Sequence, residues 1–122
     1  VAGRTTPLLA KTDDGQVVGF VCYGTNQDED LLDCGEVYAL YVLKEHQKKG
    51  LGFSLMQAAM DHMQKYQRIV IWVLQENEQA IAFYTRYGFV CDGVKKEIIL
   101  GNPQTEIRMI YTNKDQLAFQ RK

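Results

Sequence analysis

The sequence has no apolar run approaching the roughly 18 residues that a membrane-crossing helix needs, and no charged-then-apolar signal segment opens it. A cytoplasmic protein with no membrane partner is the expectation. Histidine is scarce: His46 lies in a polar turn and His62 in a helical stretch, each structural or solvated, and neither has an acidic or cysteine partner spaced for a metal. No metal site is expected. The three cysteines, Cys22, Cys34 and Cys91, are odd in number, widely spaced and form no C-x-x-C, which excludes a disulfide framework and predicts reduced thiols. Cys22 and Cys91 fall in apparent strands, where each is expected to act as a small buried hydrophobe. Charge of one sign is also missing, since 14 Lys and Arg against 15 Asp and Glu leave a formal net charge of −1, which argues against nucleic acid as a partner. No repeat, low-complexity tract or second domain interrupts the 122 residues, so a single domain over 1–122 with a polar tail at 113–122, frayed or a short docked helix, is expected.

What is present is organised around residues 36–66. An extended apolar segment, Glu36-Val37-Tyr38-Ala39-Leu40-Tyr41-Val42-Leu43, runs into a basic glycine turn, Gln47-Lys48-Lys49-Gly50-Leu51-Gly52, and then into a helix. The helix is indicated by Gly52, Leu55, Met56, Ala59, Met60 and Met63, which share one face at helical spacing while Ser54, Gln57, Asp61, Gln64 and Lys65 fall between them. A strand feeding a glycine turn that opens a helix builds an anion site, because the first-turn N–H groups lack intrahelical partners and point along the positive end of the dipole. Gly50 and Gly52 would let a bulky anion approach the backbone. The dipole contributes only about 0.3–1 kcal/mol, against roughly 1.5–3 kcal/mol for each hydrogen bond to a charged group. The amides should therefore set affinity, and Lys48 and Lys49 should tune it with salt. The dinucleotide fingerprint is excluded by Leu55 at the place of its third glycine, and the P-loop by Phe53-Ser54 after Gly52.

Around this stretch, residues 7–12 and 16–24 read as an antiparallel hairpin turned at Asp13-Asp14-Gly15. Residues 25–33, with Asp28, Glu29, Asp30 and Asp33, read as a solvated loop or as a patch that attracts a cationic amine. Residues 68–75 hold an unbroken apolar run, as expected for a central strand covered on both faces and reached by a parallel crossover. Asn77 caps a second helix in which Ala80, Phe83, Tyr84 and Tyr87 share a face and Gly88 supplies the stop. Strand signals at 89–92, 94–100 and 105–111, with Gly101-Asn102-Pro103 between the last two, form a closing hairpin.

These residues resemble the GNAT superfamily of acetyl-CoA-dependent N-acetyltransferases. The signature Q/R-x-x-G-x-G/A is present as Gln47 to Gly52 after a strand, and Asn77-x-x-Ala80-x-x-Phe83-Tyr84-x-x-x-Gly88-Phe89 is similar to the family's helix over the cofactor thiol. The resemblance covers 7–111. It implies an α/β (α+β) fold: a central mixed sheet with an antiparallel hairpin, a parallel crossover at the cofactor slot, and flanking helices. It implies that the amides of Gln47, Lys48, Lys49, Gly50, Leu51 and Gly52 hold the pyrophosphate of acetyl-CoA, and that the backbone of Tyr41, Val42 and Leu43 pairs with the pantetheine arm where two strands splay. Asn77 would contact the arm, and Tyr84 would hydrogen-bond the thiol sulfur. The family usually carries a strand and two helices before the hairpin; they are not in this sequence, so a shortened domain is expected, with an acceptor pocket that is open, completed by another subunit in a homodimer, or formed by residues outside this sequence.

Acetyl transfer to a small-molecule or peptide amine requires the chemistry that these residues offer. A lysine-like ammonium has a pKa near 10.4, so a base or water chain must take its proton, and Glu36, at the start of the third strand, is the candidate. A backbone N–H near Val42 or Leu43 could stabilise the oxyanion, and Tyr84 could protonate the departing thiolate. The function expected is N-acetyl transfer from acetyl-CoA to a primary amine by direct attack in a ternary complex; the alternative is a non-catalytic acyl-CoA-binding module.

Overall fold

The computed structural model describes residues 6–113 apart from Leu32. The polar tail expected at 113–122 lies, beyond Asn113, outside the described residues. Six strands form one sheet: β1 (Thr6–Lys11), β2 (Val17–Thr25), β3 (Gly35–Val42), β4 (Arg68–Leu74), β5 (Val90–Leu100) and β6 (Asn102–Thr112), in the order β1-β2-β3-β4-β6-β5. Two helices, α1 (Leu51–Asp61) and α2 (Glu78–Tyr87), complete the fold. Every neighbouring pair is antiparallel except β3 with β4, as the crossover through α1 requires. The mixed sheet, the hairpin and the central β4 agree with expectation. Among the described residues no helix is long and apolar enough to cross a membrane.

The period-2 and period-3.6 patterns converge on one core. Leu55, Met56, Ala59 and Met60 of α1 pack against Val21 and Tyr23 of β2, Val37 of β3, and Ile69, Ile71 and Val73 of β4. An aromatic cluster ties α2 to the rest: Phe83, Tyr84, Tyr87, Phe89 and Tyr111 meet with ring centroids 5.5–6.2 Å apart, and Phe53 of α1 reaches Tyr87 at 5.4 Å. Each such contact contributes about 0.5–1.5 kcal/mol beyond its buried area. A smaller cluster of Leu31, Cys34 and Val70, flanked by Trp72 and Ile110, fills the opposite face of the sheet beneath the 26–34 loop.

Two strands carry irregularities that set which side chains reach the core. In β3 one residue is extra, because Tyr23 pairs with Val37 while Cys22 pairs with Ala39. The bulge shifts parity, so that Val37, Leu40 and Val42 all belong to the helix-covered core. In β5 the register breaks between Cys91 and Lys95, where Gly93 adopts φ 87°. The strand expected to begin at 89–92 and continue around 94–100 is one bulged strand, Val90–Leu100. Cys91 on this edge strand is exposed, which corrects its expected burial; Cys22 is half-buried and Cys34 is the cysteine in the core. The α1 helix ends at Asp61, earlier than the apolar period suggested, yet Met63 is still buried from the adjoining turn.

Candidate active site

The strand pair at the centre of the sheet is incomplete. β3 and β4 pair only where Gly35, Glu36 and Val37 face Ile69, Val70 and Ile71. Beyond that, β3 continues along β2 to Val42 while β4 continues along β6 to Leu74. Residues 38–42 and 72–74 therefore stand on either side of a slot with backbone polar groups turned into it. Hydrogen bonding alternates along an antiparallel ladder, and the Leu43 N–H donates to the Val18 carbonyl at 2.8 Å. Tyr41 is thus turned toward β2, whereas Leu40 and Val42 are turned toward the slot. The Leu43 carbonyl accepts from the His46 N–H at 2.8 Å, so both backbone groups of Leu43 are engaged inside the protein. The Val42 carbonyl is also taken, by Gln47 Nε2 at 2.9 Å, which leaves the Val42 N–H.

At the mouth of the slot the basic turn has the form that its sequence suggested. Lys48 and Gly50 both have positive φ, 65° and 82°, and Gly50 is the N-cap of α1. The first helical bond closes from Ser54 N–H to the Gly50 carbonyl at 3.0 Å, and no side chain caps the helix. The N–H groups of Leu51, Gly52 and Phe53 precede that bond and point out of the helix. A Cβ at Gly50 would meet nothing within 4 Å, so its glycine is required by conformation alone; a Cβ at Gly52 would touch the Phe83 ring at 3.5 Å, an ordinary contact. Lys48 and Lys49 are exposed beside the turn. An open cradle of amides with left-handed residues and flanking cations fits a pyrophosphate.

The two candidate chemical groups lie on opposite faces of the sheet. Tyr84 is buried in the helix-side core, between Phe83 and Phe89, and burial pushes its phenol pKa up. Its hydroxyl has no hydrogen-bond partner among the described residues, and no fully enclosed side-chain N or O there lacks one, so the hydroxyl ends at accessible space. A protonated donor is therefore retained at neutral pH. Asn77 is exposed, and its Oδ1 accepts from the Ala80 N–H at 3.1 Å, which makes it the cap of α2.

Glu36 is half-buried on the other face, at the last rungs before the strands part. Its pKa is raised to about 7, first by desolvation and next by the Asp28 carboxylate; the Asn26 amide, Lys96 and the Gln27 N–H pull it down. Asn26 Nδ2 donates to Glu36 Oε1 at 2.9 Å. Tyr38, beside Glu36 on β3, donates its hydroxyl to the Thr25 carbonyl, and burial followed by the Glu36 charge raises its own pKa. A carboxyl near pH 7 is one that can hold or release a proton under physiological conditions.

Sequence reasoning missed the structure beneath this carboxyl. Arg108 of β6, 3% exposed, donates to Asp30 Oδ1 and Oδ2 at 2.8 and 2.7 Å, to Asp28 Oδ2 at 3.1 Å and to Asp92 Oδ2 at 2.8 Å. Trp72 Nε1 donates to the same Asp28 oxygen at 3.1 Å. The acidic loop is therefore neither simply solvated nor a free cation-binding patch, because two of its carboxylates are bound internally. A single arginine inside an apolar strand, in a chain with an unexplained acidic run, was the available signal. Lys96 Nζ lies 4.1 Å from the centre of the Trp72 ring and 3.8 Å from Glu106 Oε1. Among the described residues no group of three His, Cys, Asp or Glu is arranged to hold a metal.

Comparison with known proteins shows which family the chain is similar to. An uncharacterised N-acetyltransferase of Bacillus subtilis is 31% identical over 107 residues, covering 79% of this chain and 61% of its own length. The spermine/spermidine N(1)-acetyltransferase of the same organism is 33% identical over 87 residues, covering 66% of this chain and 57% of its own length. The structure of paiA N-acetyltransferase from Thermoplasma acidophilum in complex with coenzyme A superposes with a TM-score of 0.71 at 20% identity, over 88% of this chain and 60% of that one. The chain thus spans about three fifths of the length of these proteins. The family model described as the acetyltransferase (GNAT) family matches residues 2–89, and the chain belongs to that family.

Proposed function

We propose that this chain carries the acetyl-CoA site and the catalytic groups of an N-acetyltransferase that moves an acetyl group to a primary amine by direct attack in a ternary complex. The observation that carries the reading is the slot itself: a strand pair that parts after three rungs, with an amide cradle at one end and a carboxyl of pKa about 7 at the other. The N–H groups from Lys48 to Gly52 hold the pyrophosphate, and the pantetheine arm lies along β3. Its partners there are the backbone groups of Leu40, with Tyr41 contributing through its exposed ring and Asn77 from the opposite wall.

Bound acetyl-CoA supplies an activated acyl carbon with a thiolate as leaving group. Glu36 takes the proton of the attacking ammonium, directly or through a water, from the face opposite the helices. The Val42 N–H faces the oxygen on which charge develops. Tyr84, protonated in its buried setting, gives a proton to the thiolate and is restored by the second proton that the acylated nitrogen sheds. For the acceptor, a polyamine is the class suggested by the spermine/spermidine relative.

The test is calorimetric titration of the purified chain with acetyl-CoA, repeated with Gly50→Glu and Gly52→Glu combined. Micromolar-range binding lost in the variant supports the cofactor site; no binding to folded wild-type chain overturns it. A non-catalytic module would bind acetyl-CoA and release no thiol with any amine offered.

A further inference from the structure

The groups below Glu36 form one connected chain of contacts that starts on a strand two places away. Arg108 on β6 grips Asp28 and Asp30 of the loop and Asp92 of the β5 bulge. Trp72 on β4 fixes the same Asp28 oxygen from a second direction. The Asp28 N–H donates to Asn26 Oδ1 at 2.8 Å, and the Asn26 N–H donates to the Cys34 carbonyl at 2.8 Å, so Asn26 is held through its side chain and its backbone. The donor end of its side chain, Nδ2, meets Glu36. An amide 8% exposed with its oxygen already occupied has a fixed orientation, and so does the carboxyl that it addresses.

We propose that Asn26 and Asp28 are positioning residues for the Glu36 carboxyl, and that Arg108 is the post that holds both against the sheet. The proposal rests on the reading of Glu36 as the base and adds how that base is oriented and poised. The two residues act in opposite senses. Burial is the main reason that the group ionises close to neutrality instead of near 4.5; on top of it the Asp28 charge disfavours the carboxylate, while Asn26 stabilises it by donating to it. The other charged or titratable groups that face Glu36 are Lys96 from β5, which favours the carboxylate, and Tyr38 beside it on β3, whose phenol is coupled to Tyr66 beyond α1. Arg108 neutralises Asp28 only in part, because its guanidinium is shared among three carboxylates.

The experiment is a carbon-13 NMR titration of the Glu36 side-chain carboxyl in the full chain, without acetyl-CoA or acceptor, in wild type, Asp28→Asn and Lys96→Met. An amide oxygen at position 28 can still accept from Arg108 and Trp72, so Asp28→Asn keeps the loop attached while removing its charge. The midpoint is expected near 7 in wild type. It should fall by roughly 1–2 units in Asp28→Asn, the effect of one charge several ångströms away at an effective dielectric near 20 less the share that Arg108 neutralises, and should rise in Lys96→Met. A midpoint that does not fall in folded Asp28→Asn, or a wild-type midpoint near 4.5, overturns the proposal. Because the titration involves no turnover, its failure is distinct from failure of the catalytic reading, which is measured by the activity of Glu36→Gln.

Discussion

At the scale of single residues the informative positions are those where a side chain is kept in a costly state. Glu36 has a folded-state pKa of about 7 against an ordinary value of 4.5, so the folded protein binds a proton there that the unfolded chain releases. That difference sets the sign. With respect to this group the fold is most stable below pH 4.5, loses stability as pH rises from 4.5 to about 7, and bears the full cost above. Glu36→Gln is therefore expected to raise the melting temperature at about pH 8 more than at about pH 5, while lowering kcat/KM at neutral pH by roughly 10²–10⁴-fold, the usual contribution of a general base. Equal activity of the two proteins across pH would remove Glu36 from the mechanism. Tyr84→Phe should reduce turnover by roughly 10²-fold with little change in acetyl-CoA affinity or in the urea midpoint, because its hydroxyl has no partner within the described protein. Glu36 stands out in the sequence as the acidic residue that opens the third strand, and Tyr84 by its place within the Asn77 to Phe89 motif. Asn26 could not, because its importance depends on a hydrogen bond made across ten residues of loop.

At the scale of elements, local chemistry was legible wherever it acts within a few residues. The Asn77 cap, the Gly88 stop and the left-handed Gly50 reflect what those residue types can do alone, and each is where the sequence indicated. Asn77→Ala should cost about 1 kcal/mol of stability, as cap losses do, measurable as a lower urea midpoint with unchanged slope. Gly50→Ala should cost about 1 kcal/mol, because a Cβ strains a φ of 82°. It should also weaken acetyl-CoA binding out of proportion to that loss, since the amides beside it would shift. What could not be read were the ends and defects of elements. Met63 keeps the helical period although α1 stops at Asp61, since a buried turn satisfies the same hydrophobic demand. The bulges in β3 and β5 are set by pairing with a neighbour, and no pattern within one strand reveals them.

At the scale of the whole molecule, the fold class and the cradle were legible because they depend on the order of strand, turn and helix. The ion cluster around Arg108 was not, since it joins residues 28, 30, 92 and 108 from three parts of the chain. Removing one partner of a buried charge pair costs about 3–5 kcal/mol, and Asp30 has a side chain 61% exposed. Arg108→Met is therefore expected at the low end of that range, read from chemical denaturation. The three-rung contact between β3 and β4 has a mechanical consequence. The sheet is a tuning fork: its stem is the short parallel pairing at 35–37 and 69–71, and its tines are the β1-β2-β3 and β4-β6-β5 ribbons. Each tine keeps its own backbone ladder, so a change in the gap breaks no rung of either, while α1 and the Arg108 and Trp72 bonds to the 26–34 loop tie the two together. A ligand laid between them acts as a damper, and amide exchange at Leu40 and Val42 should slow on adding acetyl-CoA while exchange at Gly35 stays as it was.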